Sequence, residues 1–196
     1  MPAVLAVFAL LVPAAIGLAD AELQRALRGE VAMHVETFQR PDGKPAGRGL
    51  GAIVVDRPIA QVWATISTYE DKAEYQPRVK SVTILAKQPG SLRVRMEIDA
   101  TITTARYTVL YTLDDAQHTV SWTLDKSAPD NTVADVAGDY HLYEVSPQST
   151  LVVYRAFVDP GTHVPRFIQN FITRRSLPNL LLATKKRIES GGRYHK

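Results

Sequence analysis

The chain has 196 residues, of which 45% are apolar and 22% charged, a balance that excludes wholesale disorder and fits one globular domain. Its net charge of +3 comes from 23 basic residues scattered among 20 acidic ones, without the concentrated basic stripe of a nucleic-acid surface. There is no cysteine, which removes disulfides, thiolate metal sites and thiol nucleophiles.

Residues 1 to 19 carry no charged side chain, and the apolar run "VLAVFALLVPAAIGLA" is followed by Ala19-Asp20-Ala21. Small residues at both ends of that triplet fit a signal-peptidase site, so residues 1–21 read as a secretory signal cut near Ala21. The expected location is therefore exported, in the periplasm. A Lys or Arg ahead of the apolar run is missing, and a persistent N-terminal membrane anchor is the alternative reading.

"AELQRALRG" reads as a short surface helix ended by Gly29, and "EVAMHVETFQ" alternates as a strand. "RPDGKPAG" turns the chain and "RGLGAIVVD" continues it in extended form, giving a hairpin. Arg57-Pro58 then opens a helix whose Ile59, Val62, Trp63 and Ile66 recur at i, i+3, i+4 and i+7. Residues 70–75 form a brief helical turn stopped by Pro77. Val79, Val82 and Ile84 carry the chain into a strand whose spacing slips once, the mark of a bulge.

Strict alternation follows. "SLRVRMEIDATI" sets Leu92, Val94, Met96 and Ile98 against Arg93, Arg95, Glu97 and Asp99, so one face is dry and the other wet. "ARYTVLYTL", "HTVSWTLD", "VADVAGDYHLYEV" and "TLVVYRAFVD" supply further strands joined by short turns, hence antiparallel neighbours. The segment "VPRFIQNFITRRSLPNLLLATKKRIES" then takes helical spacing, with a kink predicted at Pro178 and an end at Gly191-Gly192. A one-sided sheet must cover its dry face, and this helix is the element long enough to lie across it.

On these residues the chain resembles a known family. "DRPIAQVWATISTYEDKAEYQPRVKSVTIL", "RYTVLYTLDDAQHTVSWTLD", "GDYHLYEV", "TLVVYRAFVDPG" and "VPRFIQNFITRRSLPNLLLATKKRIE" look like the START-like superfamily of polyketide cyclases and coenzyme Q-binding proteins, also called SRPBCC. The likeness runs from about residue 49 to 190. Its most specific parts are the P-x-x-x-V-W helix at Pro58 to Trp63, the hinge tyrosines Tyr69 and Tyr75 with Pro77, Val79 and Val82, and the S-L-P-x-L-L run from Ser176. The resemblance implies an α+β helix-grip fold. A curved antiparallel sheet of about seven strands would wrap a long C-terminal helix, with two short helices after the first strand and a deep apolar cavity between sheet and helix. The expected division is a signal at 1–21, an N-terminal extension at 22–48, a ligand-binding domain at 49–190 and a tail at 191–196.

By strand parity the lining of such a cavity is Met96, Ile98, Tyr107, Val109, Tyr111, Trp122, Tyr140, Val152 and Tyr154, with Phe171 and Ile172 from the helix. Tyrosine hydroxyls in an apolar wall suit a quinone carbonyl, a sterol hydroxyl or a lipid headgroup. Packing alone also explains aromatic residues in strands. Asp135, Asp139 and His141 share a strand face, yet the neighbouring parity class is the apolar one, so the acids and imidazole should face water. His34, His118, His163 and His195 lack the i, i+4 spacing of a helical zinc motif, and the Gly47–Gly51 stretch lacks the strand-to-helix context of a dinucleotide loop. Cofactor and metal are expected to be none. Arg174, Arg175, Lys185, Lys186 and Arg187 suit either the helix dipole or a transient membrane contact with anionic lipid.

The leading expectation is a noncatalytic carrier or sequestering protein for a hydrophobic small molecule: a lipid, quinone or polycyclic compound. The alternatives are an aromatase/cyclase-type enzyme acting on a bound hydrophobic substrate, and a protein-interaction accessory of an exported redox system.

Overall fold

The structure, a computed structural model, describes residues 16–39, 43, 45–100, 103–159 and 176–196. In chain order it runs α1 (Asp20–Leu27), β1 (Ala32–Gln39), β2 (Pro45–Val55), α2 (Ile59–Ile66), α3 (Lys72–Tyr75), β3 (Val79–Gln88), β4 (Ser91–Asp99), β5 (Thr104–Asp114), β6 (Thr119–Leu124), β7 (Asp135–Ser146), β8 (Ser149–Asp159) and α4 (Leu177–Glu189). The strands form one antiparallel sheet ordered β1-β2-β8-β7-β6-β5-β4-β3. This is the helix-grip arrangement, with eight strands where about seven are predicted. The extra strand is β1, which pairs with β2 along its whole length and so makes the N-terminal extension an edge of the sheet.

Turn chemistry fixes the meander. Gln88 pairs with Ser91 across a Pro89-Gly90 turn, and Gly90 takes φ +73°, a conformation that costs a side chain dearly and glycine nothing. At the next hairpin Asp114 Oδ1 accepts from the backbone N–H groups of Ala116 and Gln117 at 3.0 and 2.9 Å, an aspartate turn of the expected kind. The slipped spacing of β3 is real: its register against β4 shifts between Val79 and Ser81 and again between Ile84 and Ala86.

Each face of the sheet has its own core. The inner face gathers Ile53, Val55, Val94, Val109, Val120 and Val152 beneath Val62 and Ile66 of α2 and Leu181 and Ile188 of α4. Helix α4 approaches β2 closely because Gly51 offers no side chain. A methyl group there would lie 2.7 Å from Leu181 Cδ1 and 3.2 Å from Leu177 Cγ. The glycine-rich stretch is thus part of β2 and the landing strip of the helix. Within the described residues α4 spans 13 residues, and Pro178 sits in its first turn, where the missing N–H is tolerated; the helical stretch predicted ahead of it, and with it the predicted kink, lies outside the described residues.

The outer face carries a smaller core. Leu50, Ala52, Val54, Val145, Leu151 and Val153 are covered by Leu23 and Ala26 of α1 and by Ile16 and Leu18 just before it. Helix α1 is therefore a packed element and more than a surface lead-in. Beyond that patch the outer face is wet, as the β4 alternation predicts, and laced with ion pairs: Arg93–Asp125 at 2.7 Å, Arg95–Asp130 at 3.0 Å and Arg106–Glu97 at 2.7 Å.

Candidate functional site

The inner face carries a row of aromatic side chains, placed there by strand period two. Alternation on β5 turns Tyr107, Val109 and Tyr111 inward, and β4 contributes Met96 and Ile98. Trp122 comes from β6, Tyr140 from β7, and Val152 with Tyr154 from β8. All nine of these sequence-chosen residues share one core. Phe171 and Ile172 lie outside the described residues.

The rings touch in series. Tyr111 and Trp122 have centroids 5.8 Å apart, Trp122 and Tyr140 5.7 Å, Trp122 and Tyr154 5.5 Å, and Tyr140 and Tyr154 4.7 Å. Tyr69, from the hinge after α2, extends the row with its ring 4.2 Å from Tyr111. It was not among the predicted lining residues, although it continues the α2 stripe at i+3 from Ile66, and that spacing is the signal that finds it. The indole of Trp122 reaches its neighbours because Gly138 lies directly beneath it. A Cβ at Gly138 would collide with Trp122 Cζ2 and with the Arg155 carbonyl.

Burial pushes the hydroxyls of Tyr69, Tyr111 and Tyr140 well above the ordinary tyrosine range, with the neighbouring tyrosines adding to the effect. Burial alone raises Tyr107 to about 12. At any physiological pH the row therefore consists of neutral phenols, which donate hydrogen bonds and do not accept protons as bases. The Tyr140 hydroxyl is buried without a hydrogen-bonding partner, a state that costs about 1–3 kcal/mol unless a ligand satisfies it.

A buried amine stands at the end of the row. Lys72 is 2% exposed; its Nζ donates to the Ile66 carbonyl at the C-terminus of α2 at 3.0 Å and lies 4.3 Å from the centroid of the Tyr69 ring. Burial lowers its pKa to about 8, against the pull of Asp71 and Glu70. The unfolded chain, whose lysine titrates at 10.5, binds more protons between those values, so this group makes stability rise with pH across that window. Relative to the Lys72→Met variant, the wild-type protein should gain roughly 3 kcal/mol between pH 7 and 11, at 1.36 kcal/mol per pKa unit. Urea midpoints of both proteins at several pH values test this, and parallel profiles would contradict the burial of a charged amine.

The acid and imidazole pair falls on the other side of the sheet. Asp139 accepts from Arg155 Nη1 at 2.9 Å, and His141 Nε2 lies 3.4 Å from the same carboxylate, away from the aromatic row. A shallow depression of about 550 Å³ on that outer face is bordered by Phe38, Arg48, Ser121, Asp135, Asp139 and Phe157. No cluster of three or more metal-ligating side chains occurs among the described residues. The basic run on α4 is largely engaged: Lys185 donates to the Val54 carbonyl, Lys186 lies over the Tyr194 ring, and Arg187 binds Asp71 and Glu74.

Known proteins share this frame. Residues 51–181 match the family model described as polyketide cyclase / dehydrase and lipid transport. Among solved structures, Zhui aromatase/cyclase from Streptomyces sp. R1128 superposes with a TM-score of 0.62 at 19% identity, covering 74% of this chain and 97% of that one. A STAR-related lipid transfer protein from Xanthomonas axonopodis gives 0.67 at 12% identity, covering 81% and 93%. Human STARD10 gives 0.64 at 16% identity, covering 84% and 73%. No curated protein sequence matches the chain.

Proposed function

Because the chain belongs to the polyketide cyclase / dehydrase and lipid transport family, we propose that it binds a hydrophobic small molecule against the aromatic row and carries or sequesters it. The observation that supports this most is the Tyr140 hydroxyl, buried and unpartnered among rings. A ligand that fits combines a planar or chain-like apolar body with an acceptor oxygen, as a quinone, a lipid ester or a polycyclic ketone does. The apolar body contributes roughly 25 cal/mol per Å² removed from water. The acceptor relieves the unpaired phenol and selects orientation.

Native mass spectrometry of protein taken from its own cells without detergent tests the reading: a stoichiometric hydrophobic adduct is expected, and a bare protein that also binds nothing from a lipid and quinone panel would refute it. Tyr140→Phe sharpens the test. Removing an unsatisfied hydroxyl should leave the free protein at least as stable, while binding of an acceptor-bearing ligand weakens about tenfold, the worth of one hydrogen bond.

The rival is an aromatase/cyclase-type enzyme, favoured by phenols that could donate to an oxyanion developing on a bound chain. Single Tyr→Phe changes at Tyr107, Tyr111 and Tyr154 separate the two readings. Lost turnover with retained binding supports the enzyme, and weaker binding alone supports the carrier.

A further inference from the structure

The expected signal-peptide cut near Ala21 falls inside a folded part of the molecule. Helix α1 begins at Asp20, and the turns that start it lie further upstream: Leu23 N–H donates to the Ala19 carbonyl at 2.9 Å, and Ala19 N–H donates to Glu22 Oε2 at 2.9 Å. Ile16 is fully buried and Leu18 is 5% exposed, both in the outer-face core with Leu50, Ala52 and Leu151. The Ile16 carbonyl accepts from Arg155 Nη2 at 2.9 Å, the same guanidinium that holds Asp139. A cut after Ala21 removes both apolar plugs, takes from a largely buried arginine, which keeps Asp139, one of its hydrogen-bond acceptors, and leaves a positive α-amino group at the helix's own positive end, where the dipole disfavours it. The folded domain therefore begins at or before Ile16.

The residues that precede it, 1 to 15, contain no charged side chain, and they are joined without a spacer to a segment clamped on the sheet. We propose that this apolar stretch is retained, and that it attaches the domain to a lipid bilayer, with the outer face of β2 and β8 carrying the attachment point. This inference is independent of the ligand: it concerns the opposite face of the sheet from the aromatic row. An apolar lead of this composition directs a chain to the membrane, and Ile16, packed in the outer-face core, is the residue at which the lead joins the domain.

The test uses the full chain. Protein from its own cells should sediment with membranes, resist extraction by high salt, be released by detergent, and show an intact mass that includes residues 2–15. Purified full-length protein should float with phosphatidylethanolamine and phosphatidylglycerol vesicles, and Leu10→Lys combined with Leu11→Lys should reduce the floating fraction at least tenfold with no change in thermal midpoint. A mass that lacks residues 1–15, whether it begins at Ile16 or at Glu22, or full-length protein that stays wholly in the soluble fraction, overturns the proposal. So does a lowered thermal midpoint for the double variant without vesicles, because the stretch would then be seated on the protein itself. Ligand binding measured in parallel is expected to be the same for both proteins.

Discussion

Gly138→Ala should destabilise the protein by roughly 3 kcal/mol, and Gly138→Val by more, the upper range for forcing extra atoms into a packed core. The cause is local and unforgiving. A Cβ at this position meets the Trp122 ring on one side and the Arg155 backbone carbonyl on the other, and a carbonyl held in a strand ladder cannot swing away as a side-chain tip can. Trp122 is the ring that touches Tyr111, Tyr140 and Tyr154 at once, so its displacement breaks the row at its centre. The chain has two tryptophans, so a Trp63→Phe background isolates Trp122 emission. A red shift together with a lowered urea midpoint is expected. Unchanged emission and stability would mean that the indole does not lie over Gly138.

Arg187→Met should cost about 3 kcal/mol, the penalty for breaking a mostly buried ion pair from one side. Its Nη2 bonds Asp71 Oδ2 at 2.9 Å and Glu74 Oε2 at 2.8 Å, Nη1 bonds the Tyr194 carbonyl at 3.0 Å, and the guanidinium lies 5.4 Å from the Tyr75 ring centroid. Glu74 is about half exposed and Asp71 much less so, so most of the loss comes from Asp71 left without its partner. Lysine cannot span two carboxylates and a carbonyl with one fork, so Arg187→Lys should recover less than half of the stability. A double-mutant cycle with Asp71→Asn reads the coupling directly, and a coupling near zero would show that the Arg187–Asp71 pair adds nothing to stability.

The strands and the inner aromatic residues were legible because both depend on a local period. Alternation on β4 and β5 assigns Met96, Ile98, Tyr107, Val109 and Tyr111 to one face without knowledge of any distant partner, and the same parity puts Asp139 and His141 on the other. What depended on a distant partner was not legible. The Gly47–Gly51 stretch reads as the flexible start of a strand, because nothing near it in sequence reveals that Leu177 and Leu181 press on Gly51. Gly138 is silent for the same reason. Arg187 sits in a basic run that suits a helix terminus or a lipid surface, and only the fold brings it to Asp71 and Glu74. Eight strands appear in place of about seven because the predicted hairpin of β1 and β2 joins the main sheet as a unit: β2 pairs with β1 on one side and with the distant β8 on the other.

The pairing of β2 with β8 has a kinetic side. Val55 lies opposite Thr150 and Gly49 opposite Ala156, so the first long strand has no inner neighbour until almost the whole meander behind it exists. Strands β3 to β8 zip up as successive hairpins, each closing a short loop, whereas joining β2 to β8 closes a loop that contains all of them. During synthesis β2 must wait, with its ladder groups unpaired on that edge and its apolar side chains open to water. The seam between β2 and β8 is therefore where refolding is slowest and where an incomplete chain is most prone to pair with another copy of itself.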